Sequence, residues 1–277
     1  MRWCWLSPSA KSRTAENCFR KMAMRLIILG SASGYPTAKR TNSGYILDID
    51  DSLILFDCGS GVTRAFMQAR LNPHLLNNII ISHTHPDHIS DLPQMVQMMK
   101  LFRKTGTVNI YLPDEALEPI GKYLKACYLY QEGLPFELRL RPVVESWKVD
   151  KTETTIRSIA NNHLDDHAEM VGERGYFNKT QSYSYALSSG GKRIFYSGDI
   201  KSLEDIKSDL DDLDLLLVET THFNVGDLFE IAAARDIKKI VLTHIADEKE
   251  DEIKMAVENN KFGLELILAR DGDIIFL

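Results

Sequence analysis

Residues 77–88 read NNIIISHTHPDH, an apolar run Ile79-Ile80-Ile81 followed by Ser82 and then His83-Thr84-His85-Pro86-Asp87-His88. A short apolar run bounded by polar residues fits a buried strand. Side chains alternate along a strand, so His83 and His85 leave its end on one side. Pro86 cannot continue a ladder and forces a bend. Asp87 and His88 then point elsewhere, where they can hold a second metal beside the first. Neutral imidazole and carboxylate are both suitable ligands for zinc. The competing reading is a solvated loop that happens to be rich in histidine. The histidines and aspartates downstream weigh against it.

Outward from this stretch the chain alternates between strand and helix patterns. RLIILG (25–30), YILDID and SLILFD (45–57) predict strands, the last two around a tight turn at Asp50–Asp51. Gly59-Ser60-Gly61 opens a helix over VTRAFMQARL. Asp91 and Pro93 stand where an N-cap and first turn belong, predicting a helix to about Lys104. VNIYLP predicts a strand, and Asp114 caps a helix to about Tyr130. FELRLRPV, the 146–160 stretch and YSYALSS predict strands. Gly190-Gly191 predicts a hairpin turn into KRIFYSGD. DLDLLLVE, KKIVLTH, LELILA and DIIFL predict further strands, with helices over DLFEIAAARD and DEKEDEIKMAVENN. No internal repeat or interdomain linker interrupts the pattern. It predicts one α/β domain over residues 24–277.

Residues 1–23 differ from the rest: five basic residues stand against the single acid Glu16, and Cys4 and Cys18 lie here. Their apolar residues stop at Leu6, which excludes a secretory signal. The stretch reads as a disordered N-terminal extension, with organellar targeting the alternative. The whole chain of 277 residues carries a net charge of −6 and is 44% apolar. That composition suits a globular fold and argues against a general nucleic-acid binder, which needs clustered Lys and Arg. No apolar run approaches the ~18 residues of a membrane helix. Four cysteines without a CxxC pair make no disulfide framework, so a cytoplasmic setting is expected.

HTHPDH resembles the HxHxDH signature of the metallo-β-lactamase superfamily. Phe56-Asp57-Cys58-Gly59-Ser60-Gly61, Tyr196-Ser197-Gly198-Asp199 and Leu242-Thr243-His244-Ile245 resemble its other motifs. The resemblance implies an αββα sandwich, two mixed β-sheets with helices on the outer faces. It also implies two divalent metals, zinc by ligand type, with Mn2+ or Fe2+ compatible. By the same resemblance His83, His85 and a third histidine hold the first metal. That third ligand is His163, at the end of SIANNH, or His167. Asp87, His88 and His244 hold the second, and Asp199 bridges. Asp57 orients a ligand from behind. Cys58 reads as a small buried strand residue.

Two such metals can share a hydroxide and clamp the attacking and leaving oxygens of an ester. Asp87 in the second set and the YSGD setting of Asp199 are similar to ribonuclease Z and its small phosphodiesterase relatives. The reading is therefore hydrolysis of a phosphodiester in a small or nucleotide substrate, with Asp87 taking part at the second metal. Val218–Phe223 resembles those relatives' HEAT-type segment, so His222 is a candidate acid for the leaving oxygen, oriented by Glu219. Ribonuclease Z also carries a basic arm that grips tRNA. Here residues 164–198 must hold both the His163 loop and a hairpin, which leaves no room for one. Acidic ADEKEDE follows His244. tRNA 3′ processing is thus the alternative. Carboxyl-ester, lactone or thioester hydrolysis and a non-catalytic metal-binding role are the others. A homodimer is expected by analogy only. Met95, Met98 and Met99, and Tyr123, Tyr128 and Tyr130, have helical spacing that assigns them to the core rather than a pocket. Arg103-Lys104 and Lys238-Lys239 read as helix-end or solvated-turn charges.

Overall fold

The computed structural model describes residues 24–49, 52–150 and 152–277. The expected N-terminal extension and the Asp50–Asp51 turn lie outside the described residues. The first sheet is built from β1 (Arg25–Gly30), β2 (Gly44–Ile49), β3 (Ser52–Phe56), β4 (Leu76–Ile80), β5 (Thr107–Leu112) and β6 (Glu137–Pro142). The second contains β7 (Ser146–Lys148), β8 (Thr155–Asn161), β9 (Ser182–Ser189), β10 (Lys192–Tyr196), β11 (Leu215–Val218), β12 (Ile240–Leu242) and β13 (Leu266–Leu268). The last strand, β14 (Ile274–Phe276), returns to the first sheet beside β1, giving two seven-stranded sheets, β14-β1-β2-β3-β4-β5-β6 and β13-β12-β11-β10-β9-β8-β7. The helices are α1 (Val62–Gln68), α2 (Pro86–Ile89), α3 (Leu92–Leu101), α4 (Leu117–Ala126), α5 (Ala168–Arg174), α6 (Val225–Ala233) and α7 (Glu250–Glu258).

The central strands are apolar on both faces because both faces are covered. Leu26, Ile28, Tyr45, Phe56 and Ile80 meet Ile156, Tyr185, Tyr196, Leu217 and Val241 between the sheets. Their alternates Ile27, Leu29, Leu55 and Ile79 pack under Phe66, Met95, Val96, Met99 and Leu124 of the helices on one side. Phe195, Leu216, Val218 and Ile240 pack under Leu228, Phe229 and Ile253 on the other. This is the expected αββα sandwich. Pairing β3–β4 and β10–β11–β12 in parallel brings their C-terminal ends to common edges. β8 is antiparallel to β9, which is antiparallel to β10, so β8 ends at the same edge as β10. Tyr183 N–H donating to Ser82 O (3.1 Å) and Ser33 N–H donating to Ile245 O (3.2 Å) join the two sheets there.

Several local expectations change in three dimensions. Asp91 sits at the N-cap position of α3 but makes no cap bond to it. Its Oδ2 instead accepts Thr63 N–H at 2.6 Å, capping α1, whose own N-cap Gly61 has no side chain to do so. Asp114 likewise caps no helix and pairs with Lys179. Met95, Met98 and Met99 are core as expected, whereas Tyr123, Tyr128 and Tyr130 are exposed. Lys104 is no solvated helix-end charge: it is buried, with Nζ donating to His74 O and Asn77 Oδ1. The 164–181 stretch, without a strong apolar period, holds α5. Among the described residues no helix is long and apolar enough to cross a membrane.

Candidate metal centre

Each site residue follows the C-terminal end of a strand: Asp57 after β3, His83 after β4, His163 after β8, Asp199 after β10, Glu219 after β11 and His244 after β12. Pro86 turns the chain into α2, which carries Asp87 and His88. The FDCGSG loop is pressed against that helix, with Cys58 N–H donating to His88 O at 2.7 Å. Only glycine fits next to it, because a Cβ on Gly59 would lie 1.9 Å from Asp87 O.

One group of ligand atoms comes from His83, His85 and His163, a second from Asp87, His88, Asp199 and His244. His85 Nδ1 lies 3.0 Å from His83 Nε2 and 3.2 Å from His163 Nε2. In the second group, Asp87 Oδ2 lies 3.2 Å from His244 Nε2 and 3.3 Å from His88 Nε2. Asp199 stands between the groups: its oxygens are 3.4 Å from His88 Nε2, 3.4 Å from His244 Nε2 and 3.8 Å from His163 Nε2. Between the two candidates for the third histidine, the structure brings His163 into the cluster. His167 is exposed, and its ring centroid lies 6.0 Å from that of His85.

Protons in the cluster are fixed from behind. Buried Asp57 accepts from Ser82 N–H (2.7 Å), Ser82 Oγ (2.8 Å), His88 Nδ1 (2.7 Å) and Tyr196 OH (2.5 Å). With its one proton on Asp57, the Ser82 hydroxyl accepts from His83 Nδ1 at 3.0 Å. His83 and His88 therefore both carry hydrogen on Nδ1 and turn Nε2 inward. Sequence reasoning found Asp57 but missed Ser82 and the Tyr196 hydroxyl as its partners. Both sit inside quoted motifs, yet nothing in the motif spacing links them.

Burial, with His88 next, holds the His83 ring well below its ordinary pKa, and burial pushes His163 down to about 4. Burial opposes ionisation of Asp87 and Asp199. The hydrogen bond from His244 and the close approach of His88 at Asp87, and the charges of His244 and His88 near Asp199, overcome it and hold both carboxyls well below the usual range. Burial also opposes the charge on His88, but Asp199 and Asp57 outweigh it and raise its pKa. The neutral imidazoles of His83 and His163 thus stand beside ionised carboxylates, while those carboxylates favour the charged ring of His88. His88 Nε2 and Asp199 Oδ1 are buried with no hydrogen-bond partner. Convergent imidazole nitrogens and unpaired buried oxygens are costly unless a cation joins them. The donor set therefore fits divalent metal ions.

Glu219, buried, accepts His222 Nδ1 at 2.7 Å, Thr221 N–H at 2.9 Å and Ile200 N–H at 2.9 Å. The hydrogen bond from His222 to Glu219 raises the His222 pKa against desolvation. A His222 ring nitrogen lies within 4.8 Å of ligand atoms of His163 and Asp199. Cys58 is buried and its thiol is pushed well above its ordinary pKa by burial, as a packed residue rather than a nucleophile.

The fold and the sequence both have relatives. The chain is 26% identical to "Ribonuclease Z" of Methanosarcina mazei, over 90% of this chain and 96% of that protein. The metallo-β-lactamase fold protein YhfI from Bacillus subtilis superposes with a TM-score of 0.72 at 20% identity, covering 92% of this chain and 100% of that one. Human tRNase Z, short form, superposes with a TM-score of 0.68 at 20% identity, over 91% and 98%. These likenesses give the chain the metallo-β-lactamase fold. Residues 24–263 match the family described as "Anti-Pycsar protein Apyc1", and with nearly the whole described chain inside that match, the protein belongs to this family.

Proposed function

We propose that the protein is a metal-dependent hydrolase of phosphodiesters, acting on a small or nucleotide substrate. The placement of Asp199 carries this reading: one carboxylate within reach of both a three-imidazole group and an Asp–His–His group. Metal-dependent hydrolases use such a pair of sites for in-line displacement at phosphorus. His83, His85 and His163 would hold one cation and Asp87, His88 and His244 the other, with Asp199 touching both. Zinc suits the imidazole set, and Mn2+ or Fe2+ the carboxylate-bearing one. Bound there, the cations supply Lewis acidity toward a phosphoryl oxygen and a water acidic enough to attack at neutral pH.

The chain's own residues do the rest. Asp57 and Ser82 keep hydrogen on Nδ1 of His83 and His88, so both rings present a lone pair. Glu219 fixes the His222 ring, which holds a proton beside His163 and Asp199 for the departing oxygen. Its side chain is about a third exposed, so product can leave past it.

The relatives named Ribonuclease Z support a second reading, cleavage of tRNA precursors. Charge counts against it: residues 164–181 carry four acids and two bases, and Asp247 to Glu252 is mostly acidic. The test combines metal analysis with a panel of bis-p-nitrophenyl phosphate, cyclic nucleotides, precursor tRNA and a carboxyl ester. Chelator-sensitive hydrolysis of the small phosphodiesters is expected. Preferential cleavage of precursor tRNA would favour the second reading. Fewer than about one metal per chain after purification with zinc would overturn the site itself.

A further inference from the structure

The hydroxyl of Thr221, between β11 and α6, stands where two functional rings meet. Its Oγ1 lies 2.6 Å from Glu219 Oε2, 3.0 Å from His244 Nδ1 and 3.1 Å from His222 Nδ1. A hydroxyl has one proton and two lone pairs. Glu219 already accepts the backbone N–H groups of Ile200, Thr221 and His222, so its oxygens act as acceptors. The hydroxyl proton therefore goes to Glu219, along the shortest of the three contacts. Only lone pairs are left toward the rings, so His244 must bring hydrogen on Nδ1. Its Nε2 then turns a free lone pair toward Asp87 Oδ2 at 3.2 Å and Asp199 Oδ2 at 3.4 Å.

The same device stands on the other side of the centre. There Asp57 takes the proton of Ser82 Oγ at 2.8 Å, and that hydroxyl accepts from His83 Nδ1 at 3.0 Å. Each candidate metal position thus has one imidazole held through a hydroxyl by a buried carboxylate, His83 in the first and His244 in the second.

His244 needs such a hold. Its φ of +52° is a left-handed backbone, and that strain persists only where the surroundings enforce it. Thr220 Oγ1 lies 3.1 Å from Thr243 O and 3.2 Å from His244 O, on the backbone side of the residue. Thr221 takes the ring. It is itself fixed at both ends, its N–H donating to Glu219 Oε2 at 2.9 Å and its O accepting Lys249 Nζ at 2.8 Å. Glu219 thereby reaches three functional groups at once. It holds the backbone just after Asp199 through Ile200 N–H, the His222 ring through Nδ1 at 2.7 Å, and the His244 ring through Thr221.

We infer that Thr221 is a positioning residue for the second metal position: its hydroxyl relays Glu219 to His244, so one carboxylate sets both the metal-ligand ring and the His222 ring. The inference rests on the reading of Asp87, His88 and His244 as holders of that cation. The test is stepwise zinc titration of the full chain against a chromogenic chelator, with the second position identified as the step that Asp87→Ala removes. Thr221→Val keeps the shape and deletes the hydroxyl, and should weaken that step about 10–100-fold while leaving the other unchanged. Thr221→Ser, which keeps the hydroxyl, should restore it. Long-range proton–nitrogen spectra of the metal-free wild type, in mildly alkaline solution, should show His244 with its hydrogen on Nδ1. Unchanged affinities in Thr221→Val, an equal fall in both steps, no rescue by Thr221→Ser, or a His244 hydrogen on Nε2 would overturn the inference alone. No zinc step in wild type would overturn the metal centre and the inference with it.

Discussion

Replacing Asp57 by Asn should weaken the second metal position far more than the first. The substitution is nearly isosteric. Asp57 sits at φ +54°, a conformation that asparagine tolerates, so the backbone is not the perturbation. What changes is that one amide oxygen must replace two carboxylate oxygens serving four donors. If the oxygen stays where His88 Nδ1, Tyr196 OH and Ser82 Oγ arrive, the amide NH2 faces Ser82 N–H, now 2.7 Å from a carboxylate oxygen. That buried N–H loses its acceptor, costing about 1–3 kcal/mol. The three retained bonds become neutral rather than charge-assisted. The net loss is about 3 kcal/mol, or roughly 6–12 °C in Tm for a domain of this size. His88 donates directly to Asp57, so its Nε2 becomes a poorer ligand, and metal affinity at Asp87, His88 and His244 should fall about 10–100-fold. His83 reaches Asp57 only through Ser82 and should lose less. Stepwise metal titration against a chromogenic chelator, with thermal unfolding of the metal-free protein, measures both. Two affinities equal to wild type with Tm unchanged would refute the account of Asp57 as the group that fixes these rings.

Three other perturbations test the rest. His222→Ala should lower kcat about 10²–10⁴-fold for an alkyl leaving group but little for p-nitrophenolate, which leaves without a proton. Equal losses for both esters would remove His222 from proton delivery. Gly59→Ala drives a Cβ into Asp87 O, so metal content and Tm should both drop, and a fully metallated variant would contradict the close packing. Asp214 is held down to about 2: burial opposes this, but Arg193 N–H, Lys238 and Lys192 outweigh it. Its contribution is present above the ordinary carboxylate pKa of about 4 and is lost as pH falls toward 2. With solvent screening it amounts to about 1 kcal/mol, so Asp214→Asn should flatten the acid limb of the metal-free protein's stability by that amount. An unchanged limb in denaturant titrations would count against it.

Much of the centre was legible along the chain because its ligands cluster at strand ends, where local chemistry contradicts local propensity. Four donors in HTHPDH, YSGD after an apolar strand and LTH after another each stand out without any contact map. The alternation of apolar strands and helices likewise predicted one α/β domain, and the resemblance of its motifs implied two covered sheets. What failed was anything whose partner lies far off. Asp91 looked like a cap for the helix it precedes but caps α1. Lys104 looked like a solvated helix end but is drawn inward to His74 O and Asn77. The 164–181 stretch has little apolar period and gave no signal of α5.

By itself, then, the sequence determined the type of fold and the chemical kind of its site, since burial periodicity and ligand chemistry are properties of neighbouring residues. Only the tertiary structure brought His163 rather than His167 within 3.2 Å of His85 Nδ1, joined Tyr196 to Asp57 across 139 positions, and set Glu115 against Lys179 and Gln181. Those choices depend on how the two sheets meet at one edge. Strand order and register fix that meeting, and no spacing within a single segment encodes it.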